Sequence, residues 1–112
     1  MRPNKPKIVR SNEIYERAKD IIPAGSQTFS KGVTQFVDGF APKYLARGNG
    51  CKVWDVDGNE YIDMSIMGIG TNILGYGQPD IDNAVKNTIN NGNMSSFNCP
   101  EEVYLAERLL EI

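Results

Sequence analysis

The sequence predicts an α+β fold in which an N-terminal helix and a long loop precede a small antiparallel three-stranded meander and then two helices. Three observations carry this prediction. Apolar residues recur at helical spacing near both ends of the chain, and Asp57-Gly58 is a strong hairpin signal between them. Glycines and prolines separate these segments. At 112 residues, the chain is long enough to bury one modest core.

The composition is that of an ordinary globular protein, with 40% hydrophobic residues, 23% charged residues and a formal net charge of −2. Its basic residues form no patch, so we expect no nucleic-acid partner. No apolar run reaches signal-peptide or membrane-span length, so we expect no membrane partner and a cytoplasmic location. The chain has two distant cysteines and no histidine, and we therefore expect neither a metal site nor a Cys/His nucleophile.

The first ten residues, 1–10, contain two prolines and lack periodicity, which predicts a flexible leader. A helix is expected from Ser11, its candidate N-cap, to Pro23, which cannot continue it. The apolar residues of this segment follow the spacing of one helical face. They are Ile14, Tyr15, Ala18, Ile21 and Ile22.

Pro23 to Pro42 is rich in glycine and small polar residues and predicts a long loop with short extended pieces. Short strands are expected at Tyr44–Arg47 and Lys52–Asp55, joined by a tight turn at Gly48-Asn49-Gly50. Asp57-Gly58 then predicts a two-residue type I′ turn, because such a turn needs positive φ at both central positions. This turn would lead into a third strand over Glu60–Met64.

Four glycines among apolar residues between Gly68 and Gly77 predict a buried connector. Pro79 fits the first turn of a helix that ends near Gly92, and Pro100 opens another that runs to Ile112. Both helices carry an apolar stripe. The stripes consist of Ile81, Ala84, Val85 and Ile89 in the first helix, and Val103, Ala106, Leu109 and Leu110 in the second.

Several apparent motifs fail on spacing or residue type. Asp55, Asp57 and Asn59 alternate as in a calcium loop, but the required glycine and glutamate positions are not filled. Gly70 and Gly75 have P-loop spacing, yet a tyrosine stands where the phosphate-binding lysine is needed. The hairpin carboxylates are instead expected to solvate its outer face and turn. They are Asp55, Asp57, Glu60 and Asp63.

The hairpin run Val53 to Asp63, followed by a glycine connector and Leu74-Gly75-x-Gly77-x-Pro79, resembles class III aminotransferases. In that family a strand pair of the form W/Y-D-x-D-G-x-x-Y-I/L-D precedes an apolar glycine stretch and L-G-H-x-H-P. Tyr76 and Gln78 depart from this pattern, because they stand where the family has histidines. The resemblance covers about Ile21 to Ile112 and implies the front part of a fold type I pyridoxal-phosphate transferase.

Two short segments, Pro23 to Thr28 and Met94 to Phe97, are most similar to the glutamate-1-semialdehyde aminomutase branch. That branch implies substrate contacts at Thr28 and Lys31, and a pocket wall at Ile69 and Gly70. Lys31 stands in place of an arginine, and a lysine attracts a carboxylate as a point charge without a bidentate fork.

The resemblance further implies pyridoxal 5′-phosphate as the cofactor of the intact parent, with a small-molecule amino donor and carbonyl acceptor and a homodimeric assembly. In the family, the Schiff-base lysine and the phosphate-binding turn lie beyond the position of Ile112. We therefore expect no catalytic or cofactor-binding residue in this chain, and no cofactor bound to it alone. Residues 11–76 would form the small-domain segment, and 77–112 the first helices leading into the cofactor domain.

A second hypothesis comes from the last helix, which has an apolar stripe and no C-terminal cap. These features suggest either a truncated enzyme or a complete small α+β module that binds a partner protein through that stripe. The first hypothesis is an amino-transfer enzyme that is incomplete and inactive as this chain. The second has no catalytic activity.

Overall fold

The computed structural model describes residues 4–92 and 96–112 and confirms the predicted α+β order. A helix is followed by three short 3₁₀ turns, a three-stranded antiparallel sheet and two helices. The helices are α1 (Val9–Ile21), α2 (Pro79–Asn90) and α3 (Pro100–Leu110), the 3₁₀ turns are Pro23–Gly25, Phe29–Lys31 and Val33–Gln35, and the strands are β1 (Leu45–Asn49), β2 (Lys52–Asp55) and β3 (Glu60–Ile62).

The chain forms two compact units, one ending at Gln78 and the other beginning at Pro79. The first unit holds α1, the turns and the sheet, and the second holds α2 and α3. The roles predicted for 1–10, 11–76 and 77–112 remain predictions. Among the described residues, no helix is both long and apolar enough to cross a membrane.

Helix α1 begins at Val9, inside the segment predicted as a leader and ahead of the predicted N-cap at Ser11. Ser11 is fully buried within the helix and does not cap it. The carboxylate of Asp57 accepts hydrogen bonds from the backbone N–H groups of Arg10, at 2.7 Å, and Ser11, at 2.9 Å. The hairpin turn thus caps a helix that has no capping side chain of its own.

The sheet has the order β1-β2-β3, and the predicted meander is confirmed. Its first turn differs from the prediction, because β1 extends through Asn49, which pairs with Lys52. The turn therefore lies at Gly50-Cys51, with Gly50 at φ 56°. Val53 on β2 is buried and forms a small core together with Ile8 and Ala18.

The second turn is also different from the predicted type I′ turn. Asp55 N–H donates to the carbonyl of Asn59, and Gly58 N–H donates to the carbonyl of Asp55, both at 3.1 Å. The loop between these partners has three residues, and only Gly58, at φ 86°, has positive φ. A three-residue hairpin loop needs just one left-handed residue, so Asp57 keeps an ordinary backbone conformation. Strand β3 ends at Ile62, two residues before the predicted end.

The connector after β3 returns to the first hairpin through Tyr76. Tyr76 and Gly50 exchange two backbone hydrogen bonds, at 2.8 and 2.9 Å. The tyrosine ring lies against Gly48, where an added Cβ would be only 2.5 Å from the ring carbon Cγ. A Cβ added at Gly75, which has φ 87°, would lie 2.8 Å from the carbonyl oxygen of Gly50. The glycines on both sides allow this close backbone approach.

In the second unit, α2 and α3 begin at Pro79 and Pro100, as predicted. Helix α3 starts with a capping box, in which Cys99 N–H donates to Glu102 Oε1 at 3.3 Å. The large hydrophobic residues of both apolar stripes are exposed. Of the segment Met94 to Phe97, for which a similarity to the aminomutase branch was predicted, Met94 and Ser95 lie outside the described residues.

Candidate functional site

Thr28 and Lys31 stand at the two ends of one tight turn. Lys31 N–H donates to the carbonyl of Thr28 at 3.1 Å, and the Thr28 hydroxyl lies 3.2 Å from that of Ser30. The side chains of the two predicted contacts nevertheless line different cavities. The backbones of Thr28 and Lys31 are therefore close together, but the two residues do not line the same cavity.

Lys31 lines a cavity of about 420 Å³ between α1, the turns that follow it and the segment before β1, which we call the α1 cavity. The Lys31 ammonium donates to Gln27 Oε1 at 3.3 Å. Arg17 and Lys43 are the other cationic residues in its lining, and none of the described residues that line it is acidic. The aliphatic part of the lining consists of Ile14, Ala18, Ile21, Ile22 and Val33.

Thr28 lines a neighbouring cavity of about 370 Å³. Phe29 and Thr34 also line it, whereas Tyr15, Ser26, Gln27 and Val33 are shared with the α1 cavity. Thr28 and Lys31 therefore line two adjoining cavities and not a single one.

Ile69 and Gly70 line neither of these cavities and lie in the connector after β3. Four successive residues there, from Met67 to Gly70, have positive φ, and Ile69 is 83% exposed. A left-handed conformation at a β-branched residue is strained. Gly70 N–H donates to the carbonyl of Ile66 at 2.6 Å and closes this turn. The structure therefore does not group these two residues with Thr28 or Lys31.

Asp55 was predicted on the outer face of the hairpin, and this is wrong, because it is only 2% exposed. One carboxylate oxygen accepts from the N–H groups of Asp57 and Asn59, and the other from the Asn59 amide and the Tyr61 hydroxyl. Burial raises the pKa of Asp55, but these hydrogen bonds outweigh it and the net pKa lies below its usual value. Because each carboxylate oxygen of Asp55 accepts two hydrogen bonds from the turn and β3, this side chain stabilises the turn.

The same cluster acts on Tyr61. Burial and then the hydrogen bond to Asp55 raise the pKa of Tyr61 to about 12. Tyr76 and Asp63 form a second pair of this kind. The Tyr76 hydroxyl donates a hydrogen bond to a carboxylate oxygen of Asp63 at 2.8 Å. Hydrogen bonds from Ser65 and Tyr76 lower the pKa of Asp63 against the opposing effect of its burial. Both pairs fix the backbone around the sheet.

A pyridoxal-phosphate site needs an uncharged lysine amine for the aldehyde and an acid beside the ring nitrogen. Lys19 pairs with Glu16 and Lys52 with Glu60, and the hydrogen bond in each pair raises the lysine pKa. Charged amines of this kind are poor nucleophiles. Among the described residues, those that line the two cavities include no aspartate or glutamate that could lie beside the ring nitrogen, so they do not fit this cofactor.

The groups that share the α1 cavity with Lys31 were not predicted from the sequence. Arg17 lies on α1, whereas Lys43 and Tyr44 precede β1. Their separation along the chain leaves no periodic or motif signal. The only indication in the sequence is the helical spacing of Ile14, Ala18 and Ile21, which marks the face of α1 that the cavity uses.

This order of helix, turns, hairpin and glycine connector defines a segment of a class III aminotransferase. The family profile for aminotransferase class III matches residues 37–112, and the chain belongs to that family.

Among curated proteins, the chain is 37% identical over 106 residues to the glutamate-1-semialdehyde 2,1-aminomutase of Desulforamulus reducens. The match covers 95% of this chain and 24% of the aminomutase. The chain thus spans about a quarter of the length of that relative.

Among solved structures, the chain matches an omega-transaminase from Sphaerobacter thermophilus with a TM-score of 0.78 and 29% identity, covering 96% of this chain and 23% of the transaminase. It also matches the PLP internal aldimine form of the FumI protein of Sphingopyxis sp. MTA144. That match has a TM-score of 0.76 and 31% identity, and covers 88% of this chain and 23% of FumI. The prediction that the chain forms the front part of a fold type I transferase is confirmed.

Proposed function

We propose that this chain supplies the N-terminal part of an enzyme that moves an amino group between an amino donor and an aldehyde or keto group. The observation that carries the proposal is the match along almost the whole chain, in sequence to an aminomutase and in structure to a transaminase. In such an enzyme, pyridoxal phosphate acts as the electron sink for the reaction. The chain contributes a scaffold and the loop around Thr28 to Lys31, which we call the substrate-side loop.

The contribution of this chain's own residues is binding and orientation. Lys31 carries a positive charge into the α1 cavity and is held by Gln27, which suits it to attract a substrate carboxylate. Thr28 offers a hydroxyl whose one close partner is Ser30. Ile69 presents an exposed aliphatic side chain on the connector. Each of these groups would act by positioning a substrate, because none has the environment of a nucleophile or a general base.

The Desulforamulus reducens aminomutase provides the test. This chain would replace the matching segment of that enzyme, and the chimera would be assayed for amino-group transfer and for the absorbance of bound pyridoxal phosphate. We expect transfer activity in the chimera. A chimera that folds and binds the cofactor but transfers no amino group from any of a panel of amines would refute the proposal.

Two variants of the chimera examine the substrate-side loop. Lys31→Met removes the charge and should raise KM for a substrate that carries a carboxylate by about tenfold, with a smaller change for an uncharged amine. Lys86→Met on α2 removes a lysine that lies outside the substrate-side loop and serves as the matched control. Equal effects of both variants on KM would show that Lys31 does not contact the substrate.

The alternative of a protein-interaction module receives no support from the comparisons, because family and structural matches both point to amino-transfer enzymes. The exposed apolar stripes of α2 and α3 are the one feature that it would explain. The homodimeric assembly and the cytoplasmic location remain part of the proposal for the whole protein.

A further inference from the structure

Two asparagines of the chain, Asn49 and Asn91, are followed directly by glycine. An asparagine in this position can react with its own backbone, because the nitrogen of the next residue can attack the carbon of the side-chain amide. Glycine has no side chain to hinder the approach, and its backbone reaches more conformations than that of other residues. Whether either asparagine reacts therefore depends on how firmly the structure holds the glycine nitrogen.

The first of these sequences is held in place by the sheet and the connector. Asn49 pairs with Lys52 in the first hairpin. Gly50 N–H donates to the carbonyl of Tyr76 at 2.8 Å, and Tyr76 N–H donates back to the carbonyl of Gly50 at 2.9 Å. The amide nitrogen of Asn49 lies 3.6 Å from where a Cβ on Gly77 would be. The Gly50 nitrogen is therefore released only when the connector separates from the sheet.

The second sequence follows the last residue of α2, and both of its residues are exposed. Gly92 N–H donates to the carbonyl of Ile89, and Asn91 N–H to the carbonyl of Asn87, both at 3.1 Å. These are bonds of the final helical turn alone. No residue of α2 is buried, and a helix of 12 residues without packed side chains is marginal in water. The last turn therefore opens at little cost and releases the Gly92 nitrogen.

We propose that Asn91 is a site of spontaneous deamidation. The Gly92 nitrogen gives its proton to water or hydroxide and bonds to the side-chain carbon of Asn91, and the amide nitrogen leaves as ammonia. Water then opens the resulting five-membered succinimide ring at either carbonyl, which leaves an aspartate or an isoaspartate in place of Asn91. The net reaction consumes one water and releases one ammonia. It needs no oxidant, cofactor or amino donor, so it is independent of the proposed function.

Both products change the end of α2. Each places a negative charge at the C-terminus of the helix, where the helix dipole is already negative and no basic residue stands in the last turn. Isoaspartate also adds a methylene to the main chain, which shifts Gly92 N–H away from its acceptor on Ile89. The modification therefore weakens the last turn of α2 and accumulates with the age of the molecule.

The test is incubation of the 112-residue chain at mildly alkaline pH, followed over time by peptide mass spectrometry and by enzymatic methylation of isoaspartate. We expect Asn91 to react at least about tenfold faster than Asn49, because the end of α2 opens far more readily than the paired backbone of Gly50. The rate should rise with pH, since the attack requires loss of the Gly92 proton. In urea both segments are unfolded, and the two rates should become similar.

Two variants and one structural measurement complete the experiment. Gly92→Ala adds a side chain next to the attacking nitrogen and should slow the reaction of Asn91 by about tenfold. Asn83→Gln, at an exposed position of α2, leaves the reacting sequence intact and is the matched control. Amide exchange in the last turn of α2 should be faster in the deamidated chain than in the fresh one.

The proposal is overturned if Asn91 is not modified, or if Asn49 reacts as fast as Asn91 in the folded chain. It is also overturned if Asn91 reacts as fast in Gly92→Ala as in the Asn83→Gln control. None of these outcomes depends on amino-transfer activity.

Discussion

Replacing Asp57 by alanine removes the group that caps α1 from the hairpin turn. Its two carboxylate oxygens accept hydrogen bonds from Arg10 N–H and Ser11 N–H, at 2.7 and 2.9 Å. Loss of a helix cap costs about 0.5–2 kcal/mol. Loss of a negative charge at a helix N-terminus adds about 0.3–1 kcal/mol. Because Ser11 is completely buried, its N–H is left without water as a replacement partner, which places the cost near the upper end, at about 2 kcal/mol.

The assay is urea unfolding followed by circular dichroism, together with amide exchange at Arg10 and Ser11. We expect Asp57→Ala to lower the free energy of unfolding by about 2 kcal/mol, which corresponds to a fall in Tm of roughly 8 °C. Both amides should exchange faster in the variant. Asp57→Asn keeps one acceptor oxygen and should lose about half as much.

Asp38→Ala is the matched control, because the Asp38 side chain is 89% exposed and makes only a 3.5 Å ion pair with Lys43. Exposed pairs of this kind contribute little, so this variant should stay within about 0.5 kcal/mol of the original chain. If Asp57→Ala costs no more than Asp38→Ala, or if the amides of Arg10 and Ser11 exchange freely in the unmodified chain, the hairpin does not cap the helix.

Three further outcomes can be checked by unfolding measurements. Gly75→Ala should lower the free energy of unfolding by at least about 2 kcal/mol, because the residue has positive φ and its new Cβ would lie 2.8 Å from a carbonyl oxygen. Gly50→Ala should lower it by about 1 kcal/mol, because this residue also has positive φ but its Cβ would meet no atom. The folded-state pKa of Asp55 is lowered, so its contribution to the free energy of unfolding is present above about pH 4 and is lost as the pH falls further. Asp55→Asn should therefore make the stability depend less on pH in acid. The pKa of Tyr61 is raised from 10.0 to about 12, so its contribution to the free energy of unfolding is complete below pH 10 and is lost as the pH rises toward 12. Tyr61→Phe should therefore reduce the loss of stability between pH 10 and 12. An unchanged dependence of stability on pH in this variant would contradict the assignment.

Tyr76 joins the connector to the sheet through its side chain and its backbone. Tyr76 replaces a histidine of the family pattern, and its hydroxyl bonds to Asp63 while its backbone pairs with Gly50. The sequence predicted a buried connector here, which is wrong for its large apolar side chains, since Ile69 and Ile73 are exposed. The contacts of Tyr76 nevertheless hold the connector against the sheet. The departure therefore leaves the family assignment intact.

The sequence by itself determined the order of elements, the starts of α2 and α3 at Pro79 and Pro100, and the family. These depend on local signals, namely apolar periodicity, prolines that open helices and a motif read in order along the chain. The position of the Asp57-Gly58 hairpin also followed from sequence. Its turn type did not, because the hydrogen bonds of the Asp55 side chain select the three-residue loop.

Only the tertiary structure decided where α1 begins and which groups share the α1 cavity. The cap of α1 comes from Asp57, 47 positions away from Arg10, and no local pattern encodes a partner at that distance. Arg17, Lys31 and Tyr44 likewise meet only after the turns fold back against α1. The physical reason is the same in both cases. A charge or a hydroxyl gains its role from the dielectric and the partners around it, and these exist only once distant segments have packed together.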